Sequence, residues 1–157
     1  MQKITPFLWF DSNAEEAANF YVALFRNSRI LKVARYNAAG PGPAGQVMTV
    51  SFELEGREFT ALNGGPHFKF SEAISFVVSC ETQPEIDRLW SALSAGGKEG
   101  QCGWVCDKFG LWWQIVPPML PELLSGGDAA RAERVMKAML EMRKLDIAAL
   151  QSAAQRS

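Results

Sequence analysis

Six side chains of this 157-residue chain have the types and settings that ligand chemistry uses. His67, the one histidine, stands in the Gly/Pro-rich stretch Asn63-Gly64-Gly65-Pro66-His67. An imidazole titrates close to neutral pH, so it suits a general base or a hydrogen-bonding group at a cavity rim. A loop histidine that bonds only backbone is the other reading. Asn63 ends a strand-like run, where its amide either orients a polar substrate or satisfies its own turn. Gln114 interrupts the apolar run Leu111-Trp112-Trp113-Gln114-Ile115-Val116, and a buried amide needs partners. Trp9, Trp104 and Trp112 either form an aromatic wall against a planar or cationic ligand or fill the core. Neighbouring strand residues point to opposite faces, so at most one of Trp112 and Trp113 faces a cavity.

Cys102 and Cys106 have C-x₃-C spacing with no second pair, which is weak evidence for zinc. A nucleophilic Cys102 would need a depressed pKa and a neighbouring base, and two buried thiols are the alternative. Three cysteines, an odd number, fit a reducing compartment better than a secreted disulfide framework, so the expected location is cytoplasmic. No basic start followed by an apolar stretch marks a leader, and no apolar run reaches membrane-spanning length. Sixteen Lys and Arg against seventeen Asp and Glu leave a net charge of −1, which argues against nucleic-acid and membrane-surface partners. With 48% hydrophobic and 21% charged residues the chain is an ordinary globule, long enough for one sizeable core.

The elements that must position those side chains come as a repeat. Ile4–Phe10 reads as a buried strand, and Ser12 with Glu15 makes a capping box before a helix carrying Ala14, Ala17, Ala18, Tyr21, Leu24 and Phe25 on one stripe. Seventy residues on, the strand Ile74–Cys80 precedes a second capping box, Thr82 with Glu85, and a helix with Ile86, Leu89, Trp90 and Leu93 on its stripe. Phe20 and Trp90 match at the same offset. The first helix leads to strands over Arg29–Tyr36, Gln46–Leu54 and Arg57–Leu62, the last two joined by a tight turn at Glu55-Gly56. Asn37–Gly45 is too rich in Gly and Pro for regular structure. The second helix leads to strands over Gly103–Cys106 and Leu111–Val116, separated by the turn Asp107-Lys108-Phe109-Gly110. Both halves thus read strand, helix, then further strands, predicting two α+β modules side by side.

Pro117-Pro118 stops the last strand. Pro121–Leu124 predicts one helical turn, and Asp128 caps a long helix to about Ala149. Its stripe of Val135, Met136, Met139, Leu140, Met142, Leu145, Ile147 and Leu150 needs a sheet or a sister subunit to cover it.

Tandem strand–helix–three-strand modules resemble the vicinal oxygen chelate superfamily of glyoxalases, bleomycin-resistance proteins and extradiol dioxygenases. Ile4-Thr5-Pro6-Phe7-Leu8-Trp9-Phe10-Asp11, Ala61-Leu62-Asn63-Gly64-Gly65-Pro66 and Asp107-Lys108-Phe109-Gly110 through Trp113-Gln114-Ile115 resemble its PhnB-like branch, often labelled 3-demethylubiquinone-9 3-methyltransferase-like. The resemblance covers about residues 1–118 and implies a single domain, with modules over 1–66 and 67–118 and a helical extension over 119–157. It also implies a cavity between the modules, a divalent ion held by His and Glu in metal-using members, and dimers.

At the ligand positions this sequence departs from that pattern. Neither opening strand carries His, Asp or Glu, and Gln114 stands where a metal-using relative carries Glu. A neutral amide is a poor transition-metal ligand, so no cofactor is expected. The methyltransferase label lacks support in the residues, because Gly64-Gly65 does not open a helix after a parallel strand. The expectation is a homodimeric small-molecule-binding protein or metal-independent enzyme with an aromatic cavity, its site drawn from His67 as proton carrier and from Gln114, Asn63, Trp9, Trp104 and Trp112 as ligand contacts. A non-catalytic ligand-sequestering protein is the first alternative, and a metal-dependent glyoxalase or dioxygenase is the second.

Overall fold

Alternation of apolar side chains along short strands sets the architecture, which a computed structural model describes for residues 2–156. The chain divides into two units, Met1–Phe70 and Ser71–Ser157, each built on one four-stranded sheet.

In the first unit, β1 (Phe7–Phe10) leads into helix α1 (Ala14–Leu24), then β2 (Arg29–Arg35), β3 (Val47–Leu54) and β4 (Arg57–Asn63). The sheet order is β1-β4-β3-β2, with β1 parallel to β4 and the other pairs antiparallel. Leu8, Phe10, Val50, Phe52, Leu54, Phe59 and Ala61 are the buried set. Helix α1 packs against β3 and β4 with Ala14, Ala17, Ala18 and Tyr21, all fully buried. Small residues let the helix sit close, and the Tyr21 ring reaches Phe52, which stacks on Phe59 at 5.5 Å. Glu55 and Gly56 turn the β3–β4 hairpin with φ of 50° and 79°, the left-handed pair that a two-residue type I′ turn requires. Phe70 packs edge-on against Phe10 at 5.2 Å, so the loop after β4 returns to this unit's own core.

The helix start differs from the capping box read at Ser12 and Glu15. Asn13 is the N-cap, and no side chain of its own turn caps the helix. Asn63 Oδ1 instead accepts the Ala14 N–H at 2.8 Å, so a residue 49 positions away supplies the cap.

The second unit repeats the order: β5 (Ser75–Ser79), α2 (Gln83–Ser94), β6 (Lys98–Glu99), β7 (Trp104–Cys106) and β8 (Trp112–Val116), with sheet order β5-β8-β7-β6 and β5 parallel to β8. Here the capping threonine is in place, with Thr82 Oγ1 accepting from Glu85 N. Ile86, Leu89 and Leu93 of α2 are buried with Val105, Trp113 and Ile115 of the sheet. Asp107, 2% exposed, organises the β7–β8 turn: its Oδ1 accepts from Phe109 N and Leu111 N, and its Oδ2 accepts from Trp113 Nε1 at 2.9 Å.

The tail corrects the single long helix expected after Asp128. It forms three helices, α3 (Met119–Ser125), α4 (Ala129–Leu140) and α5 (Ile147–Gln155), around Leu120, Val135, Leu145 and Leu150. Residues 141–146 leave helical geometry because their carbonyls have partners elsewhere in this unit. Met142 O accepts from Cys102 N and Arg143 O from Gly103 N, both at 2.8 Å. Asp146 then caps α5 through Ala149 N. The apolar period survives the break because Leu145 still points into the tail's core.

Replacing Asp107 with Ala removes the acceptor of the buried Leu111 N–H and Trp113 indole N–H and of the half-buried Phe109 N–H. We expect a loss of roughly 3 kcal/mol or more in urea unfolding, with the denaturant dependence unchanged.

Candidate functional site

The six residues singled out from the sequence fall into two groups, one in each unit. In the first unit a cleft of about 940 Å³ opens between residues 11–16, where β1 passes into α1, the loop Pro41–Gly45 and the end of β4. Asn63 and His67 both line it.

Asn63 is committed to holding the cleft together. Its Oδ1 caps α1, its Nδ2 donates to Val47 O at 3.1 Å, and its own carbonyl accepts the Tyr36 hydroxyl at 2.5 Å. One residue thus ties helix, loop base and two strands. Trp9 acts behind it: the indole N–H donates to Gly65 O at 2.9 Å, and the ring lies so close over Gly64 that a Cβ there would sit 2.3 Å from it. Tyr36 packs on Gly42 in the same way. Two aromatic rings therefore pin two glycine loops, and only glycine leaves room for that approach. His67 is exposed on the wall, its ring 6.4 Å from the Trp9 ring, and no described residue hydrogen-bonds its imidazole. Arg35 also faces the cleft, with its Nη1 donating to Gly45 O.

In the second unit Trp104, Trp112 and Gln114 share one face of the sheet. Trp104 pairs with Gln114 across β7 and β8, and Trp112 lies two residues from Gln114. Trp113 and Ile115 alternate with them into the core, so α2 covers the opposite face. The two indole rings lie 6.4 Å apart at 60°. Gln114 Nε2 donates to Ser75 Oγ at 2.9 Å, and no described residue donates to its carbonyl oxygen. Val77, paired with Gln114 on β5, is 62% exposed.

Sequence reasoning missed Tyr36, Arg35 and Ser75. Tyr36 had a readable signal, an aromatic at a strand end followed by glycines four and six residues on. Ser75 had none, because its partnership with Gln114 depends on the register of a parallel pair 39 residues apart.

The residues do not fit a transition-metal ion. Among the described residues no three His, Cys, Asp or Glu side chains come together. Gln114, already bonded to Ser75, offers a neutral amide oxygen beside two indoles, which is a poor donor set.

A family model described as 3-demethylubiquinone-9 3-methyltransferase matches residues 2–116. A PhnB protein from Bacillus cereus, described as a putative member of the same family, is 39% identical, with a TM-score of 0.68 over 74% of this chain and 99% of that one. The chain belongs to the PhnB-like family of the vicinal oxygen chelate superfamily. PA1353 from Pseudomonas aeruginosa (20% identity, TM-score 0.61, 74% and 98% covered) has the same fold, as does the fosfomycin resistance protein FosX from Listeria monocytogenes (13%, 0.52, 77% and 94%). None of the curated proteins matches. The PhnB-like match ends at residue 116, so α3, α4 and α5 lie outside it.

The cysteines of this PhnB-like chain sort by environment. Burial pushes the Cys80 thiol up to about 12, and burial followed by the charge of Asp107 also raises Cys106. A thiol kept protonated in this way is a poor nucleophile. We expect iodoacetamide to alkylate Cys102 alone in the native protein at pH 8, with Cys80 and Cys106 labelled only after unfolding. Peptide mass spectrometry reads the sites.

Proposed function

We propose that this PhnB-like protein binds a small, planar organic molecule without a metal ion, on the face of the second unit's sheet that α2 leaves uncovered. The observation that carries this reading is Gln114 lying on the same face beside the Trp104–Trp112 ring pair, with its carbonyl oxygen unmatched. Indole faces contribute flat apolar contact at little entropic cost, and a half-buried amide fixes the polar edge of what lies against them. If the protein also turns a molecule over in the first unit's cleft, His67, which lines that cleft, is the proton carrier there. Methyl transfer, which the family's description names, is not part of the proposal. Asn63-Gly64-Gly65-Pro66 follows β4 but leads into non-helical residues, so a glycine-rich turn opening a helix is missing there.

We read the protein as a cytoplasmic homodimer. Two features support this: all three cysteines are free thiols, which suits a reducing compartment, and Met136 and Leu140 are exposed on α4.

Proflavine, a planar tricyclic cation with amino donors at its edge, is a suitable probe. We expect saturable quenching of tryptophan fluorescence, with affinity falling roughly tenfold in Trp104→Ala and in Trp112→Ala. Wild-type affinity in both variants would overturn the reading. His67→Ala should leave proflavine affinity unchanged while abolishing turnover of any compound the wild type converts. Retained turnover would remove His67 from the chemistry. Native mass spectrometry of protein purified from cells reads co-purifying ligand, metal and subunit number together.

A further inference from the structure

The tail beyond residue 116 lies outside the family match, yet its contacts converge on the turn that carries Trp104. Cys102 N–H and Gly103 N–H donate to Met142 O and Arg143 O, while Gly103 O accepts from Ile115 N, all at 2.8 Å. The turn is therefore held between the tail on one side and β8 on the other. The residues next to its two anchors are Trp104, following Gly103, and Gln114, preceding Ile115. Leu145 fills the space beside Gly103, where a Cβ would meet it at 3.0 Å. Val116, two residues from Gln114 along β8, packs into the tail's apolar core.

The strap 142–147 is fixed from its far side as well. Gln83, at the start of α2, donates to Leu145 O at 3.0 Å and accepts from Ile147 N at 2.8 Å. Lys144 pairs with Asp87 at 2.8 Å, and Arg143 approaches Glu99, whose other oxygen accepts from the Trp90 indole. A tail that only added stability could pack anywhere on this unit. This one commits two successive carbonyls, Met142 O and Arg143 O, to the turn leading to the proposed ligand face.

We propose that the strap 142–147 is a positioning segment: it holds the Gln101–Gly103 turn and thereby sets Trp104 against Gln114 for ligand binding. Gln83 is the residue that locks the strap. The proposal rests on the reading of the Trp104–Gln114–Trp112 face as the binding surface, and the test separates the two.

The test uses the full-length chain labelled with 5-fluorotryptophan. Gln83→Leu keeps the side chain's bulk and removes both strap bonds. We expect amide exchange at Cys102 and Gly103 to rise roughly tenfold, the order expected for losing one or two net hydrogen bonds. The Trp104 ¹⁹F resonance should move, and proflavine affinity should fall by a comparable factor. The exposed double variant Arg143→Ala/Lys144→Ala, which removes only ion pairs, should shift all three readouts in the same direction by less. Asp128→Ala, which uncaps α4 away from the strap, should move none of them, although it weakens the tail. The proposal is overturned if exchange at Cys102 and Gly103 stays slow in Gln83→Leu, or if it rises while the Trp104 resonance and proflavine affinity hold. It is also overturned if Asp128→Ala produces the same changes, since tail stability alone would then explain them. Should wild-type protein not bind proflavine, the binding-face reading fails, and the Trp104 resonance still decides whether the strap positions that side chain.

Discussion

A four-stranded sheet with one covering helix can bury only every second residue of its strands. In β8 that rule sends Trp113 and Ile115 under α2, and Trp112 and Gln114 are then forced to the other side whatever their chemistry. The first unit obeys the same constraint: Leu8 and Phe10 go under α1, so Phe7 and Trp9 cannot. Single-sided burial is thus the source of both the core and the candidate surface. It also explains why large apolar residues such as Phe7 and Val77 remain well exposed on the first and fifth strands.

The two amides expected to touch ligand show how polar satisfaction separates scaffold from surface. Asn63 and Gln114 have the same functional group and comparable burial. Asn63 has both amide atoms occupied by backbone, at Ala14 and Val47, so a ligand would have to displace a helix cap to engage it. Gln114 has one atom occupied, by a serine hydroxyl that can rotate. The chemistry that remains available therefore lies on Gln114, while Asn63 preorganises the cleft beside His67.

Much of the fold was legible because it is encoded locally and twice. The seventy-residue repeat, the alternation in the strands and the Glu55-Gly56 turn each need only neighbouring residues to be recognised. What failed was encoded at a distance. Ser12 and Glu15 match a capping box, but Asn63 reaches the helix start first, and nothing within the helix's own turn announces it. The tail's apolar stripe runs through residues 141–146 unbroken, because Met142 and Leu145 face the same core in a strap as they would in a helix. Period reports which side is buried and is silent on where the carbonyls go. The candidate site was legible as a set of residue types and not as an arrangement: partners such as Ser75 for Gln114 follow from strand register, which the sequence leaves open.

The carbonyls of that strap explain a backbone feature that would otherwise be costly. Cys102 sits at φ of 59°, in the left-handed region where a side-chain-bearing residue loses roughly 1–2 kcal/mol relative to ordinary geometry. Gly103 follows at 86°, where glycine is at ease. Two successive left-handed residues turn both N–H groups the same way, and two successive carbonyls of the strap meet them. The hydrogen bonds contribute about as much as the strained residue costs, so turn and strap hold each other in conformations that each would abandon alone. A turn stabilised in that way has one arrangement rather than several, and the direction in which Trp104 leaves it is fixed accordingly.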